Sequence, residues 1–198
     1  MKLLCTRGAE KEYRDPATGK AYYSHSQVAR VIWPDPYAGV DDAVLEFARQ
    51  RGTDLHRIFF FLLASLRGFC PRPPRPEEFG GYYDAMVKFV EEWEPYPESI
   101  EDPSKSDDLG IAGCVDTKCR MRGALWLLDL KSGAEAKAPH AFQLNLYKKF
   151  DEYRDAKKMG DLYIREDGTY TVKPVKPNPW AVALAQNAVG ILKGRALL

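Results

Sequence analysis

The chain lacks the features that mark several protein classes. It holds 4 cysteines in 198 residues, and Cys5, Cys70, Cys114 and Cys119 form no C-x-x-C pair. A disulfide scaffold or a cysteine-based zinc site is therefore not expected, and the thiols read as reduced in a cytoplasmic protein. The short stretch after Lys2 is broken by Arg7, so no signal peptide is expected. The longest apolar run, Ile58 to Leu66, contains Ser65 and is far shorter than the roughly 20 residues of a membrane span. Internal repeats and low-complexity tails are missing. An excess of one charge is missing too: 29 Lys+Arg face 28 Asp+Glu, a formal net charge of +1. That balance gives no sign of a protein that grips nucleic acid by bulk charge.

What remains is ordinary for a globular domain: 45% hydrophobic and 12% aromatic residues, with a mean hydropathy of -0.42. Collagen-like, disordered and coiled-coil classes are excluded, and the length suits a single domain, 1–198, with its own core. Residues 1 to 24 read as a short strand or hairpin, followed by a short helix from Ser26 to Ile32. Apolar residues then recur at three- and four-residue steps from Asp41 to Leu66, the period of a long helix that Gly52 could bend or divide. A second helix is expected from about Pro76 to Trp93, its aromatic face read as core.

The texture then changes. Ser99–Pro103, Gly110–Met121 and Ala124–Lys131 read as three strands, and Leu125-Trp126-Leu127-Leu128 suits a central strand buried on both faces. A helix over Pro139–Arg154, a hairpin around Asp167-Gly168 and a helix over Pro179–Lys193 complete the chain. The expected fold is α/β (α+β), a central mixed sheet flanked by helices. Its parts are helical N-terminal additions at about 25–95, a core at about 96–175 and a closing helix at about 179–193.

Chemistry concentrates at Gly113-Cys114-Val115-Asp116 and, thirteen residues on, Asp129-Leu130-Lys131. Asp129 and Lys131 lie two apart on one strand, so their side chains share a face, while Leu130 points into the core. Two carboxylates from neighbouring strands plus the Leu130 carbonyl offer the hard oxygen donors that Mg²⁺ prefers. A lysine beside them can hold a water or steady charge on a phosphate. The triplet alone also reads as a surface ion pair on an edge strand. The four apolar residues leading into it favour a buried strand that delivers functional groups at its end.

Further pieces stand in order around this pair: Gly52-Thr53-x-x-His56 upstream, Glu101 before Asp116, and Gln143-x-x-x-Tyr147 downstream on one helical face. The series resembles the RecB-type branch of the PD-(D/E)xK nuclease superfamily, a restriction-endonuclease-like fold. A looser similarity to phage-type exonucleases takes in Ser26-Gln27-Val28 and the hairpin with the tryptophan Trp180. The resemblance implies a metal-dependent deoxyribonuclease, most simply an exonuclease acting on DNA ends or single strands. It implies one or two Mg²⁺ or Mn²⁺ ions on His56, Asp116, Asp129 and the Leu130 carbonyl, with Glu101 as an auxiliary acid. Lys131 would be the catalytic lysine, and Gln143 and Tyr147 would line the site and position the scissile phosphate.

Valine replaces the proline of the superfamily's name before Asp116. No cysteine follows Cys119, so the iron–sulfur cluster that some relatives carry cannot be built in their way. A helicase motor or recombination protein would have to be a separate partner. An endonuclease subunit and a binding module with a silent site are the alternatives. His25 and His140 match no motif.

Charge is unevenly spread. Nine acidic and two basic residues lie between Asp84 and Asp108, whereas ten basic and six acidic residues lie between Asp116 and Lys158. Lys137 and Lys148 are the expected substrate contacts, with Lys149, Lys157 and Lys158 as further backbone contacts. Tyr22, Tyr23 and Trp33, outside any regular apolar period, are candidate base-stacking residues.

Overall fold

The computed structural model describes residues 3–7, 11–34, 37–133 and 138–196. Two five-stranded mixed sheets and five α-helices build an α+β domain. The central strand is β8 (Ala124–Lys131), flanked by β7 (Thr117–Met121) and β9 (Lys158–Ile164). β4 (Tyr96–Ile100) and β10 (Tyr170–Pro174) close the edges, giving the order β10-β9-β8-β7-β4. Within this sheet only β8 and β9 run parallel, and helix α4 (Ala138–Tyr147) lies between them in the chain. That connection places α4 over the end of β8.

Alternation along β8 sorts its side chains between two cores. Leu125 and Leu127 enter one cluster with α4, α5 (Trp180–Arg195) and α1 (His25–Ile32). Trp126, Leu128 and Leu130 enter another with α2 (Asp42–Leu66) and α3 (Gly80–Trp93). With helices on both faces, β8 is buried along nearly its whole length, as its continuous apolar run requires.

The second sheet differs from the expected single sheet. β1 (Leu4–Arg7), β2 (Lys11–Arg14), β3 (Ala21–Ser24), β5 (Pro103–Ser106) and β6 (Ile111–Cys114) assemble in the order β1-β2-β3-β6-β5. The stretch read as one strand over Gly110–Met121 is two, β6 and β7, in different sheets. The break falls at Val115-Asp116, where the chain crosses between sheets. Ser99–Pro103 likewise straddles the end of β4 and the start of β5, with Glu101 turning the backbone at φ 47°.

Gly52 does not divide α2, which runs unbroken for 25 residues from an Asp41 cap whose carboxylate accepts from the Ala43 N–H. The helix over Pro139–Arg154 stops at Tyr147, and a short 3₁₀ turn at Asp151–Tyr153 follows. Gln27 closes a capping box with Ser24 at the start of α1. The stacking candidates are packed instead: Tyr22 is buried and donates to Asp107, while Tyr23 and Trp33 lie against the α4–α5 core. The aromatic face of α3 is core, as read.

The β9–β10 turn locks onto α3 at Gly81. A Cβ there would stand 1.6 Å from the Glu166 carbonyl oxygen, a backbone atom that cannot swing aside. Gly81→Ala gains intrinsic helix propensity yet is expected to lose about 1–3 kcal/mol net from the forced shift. The midpoint of urea unfolding measures it, and an unchanged or raised midpoint would contradict the packing.

Candidate active site

The site forms where β6, β7 and β8 end beneath α2 and α4. Asp116 stands at the crossing between sheets, its backbone carbonyl accepting the Glu101 N–H at 3.0 Å. Its Oδ2 accepts the Leu130 N–H at 2.6 Å, and its Oδ1 lies 3.1 Å from His56 Nδ1 on α2. One carboxylate thereby ties α2 to the central strand.

On β8 the polar face begins at Asp129. Asp129 and Lys131 emerge together on the α4 side, and Lys131 Nζ forms an ion pair with Asp129 Oδ2. Gln143 on α4 completes the circuit: its Oε1 accepts from Lys131 Nζ at 3.0 Å, and its Nε2 donates to Asp129 Oδ1 at 3.1 Å and to Tyr147 OH at 3.1 Å. A glutamine suits this position because its amide carries both an acceptor and a two-proton donor. The four-residue spacing brings Gln143 and Tyr147 to one face of α4.

Gly113 has a physical reason in the same circuit. A Cβ there would stand 2.5 Å from Cε1 of the Tyr147 ring, so only glycine lets that ring lie against β6.

Electrostatics follow from burial. Asp129 is 2% exposed; burial, reinforced by Asp116, pushes its carboxyl above the usual range, and Lys131 and His56 oppose this without reversing it. Burial alone would lower the Lys131 ammonium, but Asp129, then Asp116 and Asp161, hold it above its ordinary value. For His56, burial likewise lowers and is outweighed by Asp116, so the imidazole gains affinity for its proton. Burial, with Asp129, raises the Tyr147 phenol well above 10. Asp129, Lys131, His56 and Tyr147 all shift toward holding a proton, as in a pocket with surplus negative charge.

His56, Asp116, Asp129, Leu130, Lys131, Gln143 and Tyr147 are thus brought together. Glu101 joins through its backbone at the β4–β5 bend. Lys148 lies elsewhere: it follows the last residue of α4 and donates to the Arg154 carbonyl. Lys137 lies outside the described residues. Lys158 sits over the Trp126 ring at 5.1 Å, on the flank of the sheet.

Asp161 was missed by sequence reasoning. It is the register partner of Asp129 across the parallel β8–β9 pair, 4% exposed, and its Oδ1 has no hydrogen-bond partner. A lone acid between Met159 and Leu162 was a visible signal, but its neighbour is known only once strand order is known. His25 also adjoins the site, its ring 6.0 Å from that of Tyr147. Burial and the nearby Lys131 push its imidazole down to about 4. His140 on α4 lies 3.1 Å from Tyr163 OH.

Among the described residues, no three His, Cys, Asp or Glu side chains gather closely enough to hold a metal ion together. None of the described helices is long and apolar enough to cross a membrane. No protein-family model and no curated protein matches the chain. Among solved structures, an alkaline exonuclease from Laribacter hongkongensis is similar over 88% of this chain and 87% of that one, with 11% identity and a TM-score of 0.48. A protein described as SSO0001 is similar over 84% of each chain, with 16% identity and a TM-score of 0.37.

Asp161 gives the site a pH signature. Burial first, then Asp129 and Asp116, push its carboxyl up to about 6 against the pull of Lys131. A carboxyl that titrates higher in the folded chain favours folding below the unfolded pKa, and this contribution is lost as pH rises through 6. In chelator-treated protein, Asp161→Asn should therefore gain stability relative to wild type between pH 4 and pH 8, by roughly 1–2 kcal/mol after solvent screening. Thermal melts at both pH values measure it; a gap independent of pH would contradict the assignment.

Proposed function

We propose that the chain is a metal-dependent deoxyribonuclease that hydrolyses phosphodiester bonds, working as an exonuclease on DNA ends or single strands. The observation that carries this reading is the closed circuit of Asp129, Lys131, Gln143 and Tyr147, joined through Leu130 to Asp116 and His56. The pieces that resemble the RecB-type branch meet at one point in space although they span residues 56 to 147.

The donor set fits a hard divalent cation such as Mg²⁺ or Mn²⁺. Asp116, Asp129 and Asp161 are buried carboxylates facing one ammonium and one imidazole, and Asp161 Oδ1 is orphaned. Buried negative charge in this excess needs a cation or protons to neutralise it. Asp116 and Asp129 with the Leu130 carbonyl would have to draw in around one or two ions, with His56 and Glu101 beside them, since no three of the described His, Cys, Asp or Glu side chains stand close enough to hold an ion as they are. When bound, such an ion polarises the phosphodiester and lowers the pKa of a coordinated water.

The chain's own residues supply the rest. Lys131, held cationic by three carboxylates, directs its ammonium at the charge that develops on the phosphate. Gln143 fixes that ammonium by its Oε1 and holds Asp129 by its amide nitrogen, so the reacting groups are oriented before substrate arrives. Tyr147, accepting from Gln143, retains a phenolic proton to donate. His56 anchors Asp116 so that the carboxylate keeps its direction. A separate motor or recombination protein would deliver longer substrates.

Asp116→Asn, Asp129→Asn and Lys131→Ala should each lower cleavage of end-labelled single-stranded DNA at least 100-fold, on the order expected for such groups, with melting cooperativity retained. Wild-type turnover in all three would refute the site. Linear DNA should be shortened progressively from its ends while covalently closed circles survive. Cleavage of circles would instead establish the endonuclease alternative.

A further inference from the structure

The two carboxylates offered to a cation are already engaged inside the chain. Asp116 Oδ2 accepts the Leu130 N–H, and its Oδ1 faces His56 Nδ1. Asp129 Oδ1 accepts from Gln143 Nε2, and its Oδ2 carries the Lys131 ammonium. A divalent cation seated at Asp129 Oδ2 meets a like charge there, so the ammonium has to give way. Gln143 Oε1 can keep one of its protons, but a buried ammonium also needs a carboxylate against it.

Asp129, Asp116 and Asp161 all favour the charge on Lys131. The first two are the cation's donors. The remaining acid, Asp161, stands where a receiver is needed. β9 runs parallel to β8, with Asp161 opposite Asp129 and Tyr163 opposite Lys131. Leu162 and Ile164 turn into the α2–α3 core, so Asp161 shares the α4 face with Asp129 and Lys131. Lys131 and Asp161 form a two-residue diagonal across strands about 4.8 Å apart, a span that a long side chain bridges.

Asp161 is also held ready. It is 4% exposed and its Oδ1 has no hydrogen-bond partner, a costly condition for a buried carboxylate that a donor would relieve. Tyr163, two residues on, braces the carboxyl, and its hydroxyl lies 3.1 Å from His140 Nδ1 on α4. Across the antiparallel pair, Lys173 on β10 is the register partner of Asp161, and the Lys173 ammonium lies 5.8 Å from the Tyr163 ring.

Resting on the nuclease reading above, we infer that Asp161 is a positioning residue that takes over the Lys131 ammonium when a divalent cation claims Asp129. The lysine pivots between carboxylates on adjacent strands, with Gln143 as its fixed acceptor, and stays at the site as a cation. Asp161 is a partner of Lys131 in this exchange and not a donor to the ion.

Calorimetric titration of the DNA-free full chain with Mn²⁺ tests this, in a double-mutant cycle with Lys131→Met. Lys131→Met should bind Mn²⁺ more tightly than wild type, since the competing ammonium is gone. Lys131→Gln, which keeps a polar side chain, should do the same. Asp161→Asn should weaken Mn²⁺ binding about 5- to 50-fold with Lys131 present, and by a factor at least about 5-fold smaller in either Lys131 variant. Asp161→Glu, which keeps a carboxylate, should stay within about 3-fold of wild type. Asp161→Asn is expected to gain stability in chelator, so unfolding would not mimic the loss. An equal or larger loss without Lys131 would overturn the inference and make Asp161 a donor to the ion. No loss in any background would overturn it as well and leave Asp161 a structural partner of Lys173. A coupled cycle in a protein that cuts no DNA would retain the exchange and lose the nuclease reading, whereas DNA cleavage with an uncoupled cycle would do the reverse.

Discussion

The site depends on a lysine kept charged inside the protein. Lys131 Nζ is largely buried and survives as a cation because Asp129 pairs with it and Gln143 accepts from it. A buried ammonium without partners would cost several kcal/mol and discharge. The surrounding architecture serves that contact. β8 carries the pair out of an apolar strand, α4 brings down Gln143, and Gly113 leaves room for the Tyr147 ring that supports the amide. Asp116, bonded to the Leu130 N–H, fixes the peptide between Asp129 and Lys131.

This constraint also accounts for the surplus of carboxylates. A single aspartate would suffice to neutralise one lysine. Asp116 and Asp161 stand beside Asp129 with His56 as the further group able to carry positive charge among the described residues, so the pocket is poised for added positive charge. The near-neutral whole-chain balance is thus compatible with an anionic substrate: attraction would be local and would arrive with the cation.

Much of this was legible in the sequence. The apolar run of β8 leading into Asp129-Leu130-Lys131 gave both the burial and the shared face, because period-2 alternation is a local property. The four-residue spacing of Gln143 and Tyr147 placed them together for the same reason. What could not be read depends on strand order. Val115-Asp116 marks a jump between sheets, which alternation within Gly110–Met121 does not reveal. Asp161 became a neighbour of Asp129 only through the parallel β8–β9 pairing. Tyr22, Tyr23 and Trp33 looked free because the sheet and helices that cover them come from distant segments.

The most direct measurement is single-turnover cleavage of an end-labelled single-stranded oligonucleotide by the purified full chain, in EDTA and then with Mg²⁺ or Mn²⁺ restored. The account predicts intact substrate in chelator and shortened products once the ion returns. Cleavage that persists in chelator, or none with either ion at any DNA length, would contradict it.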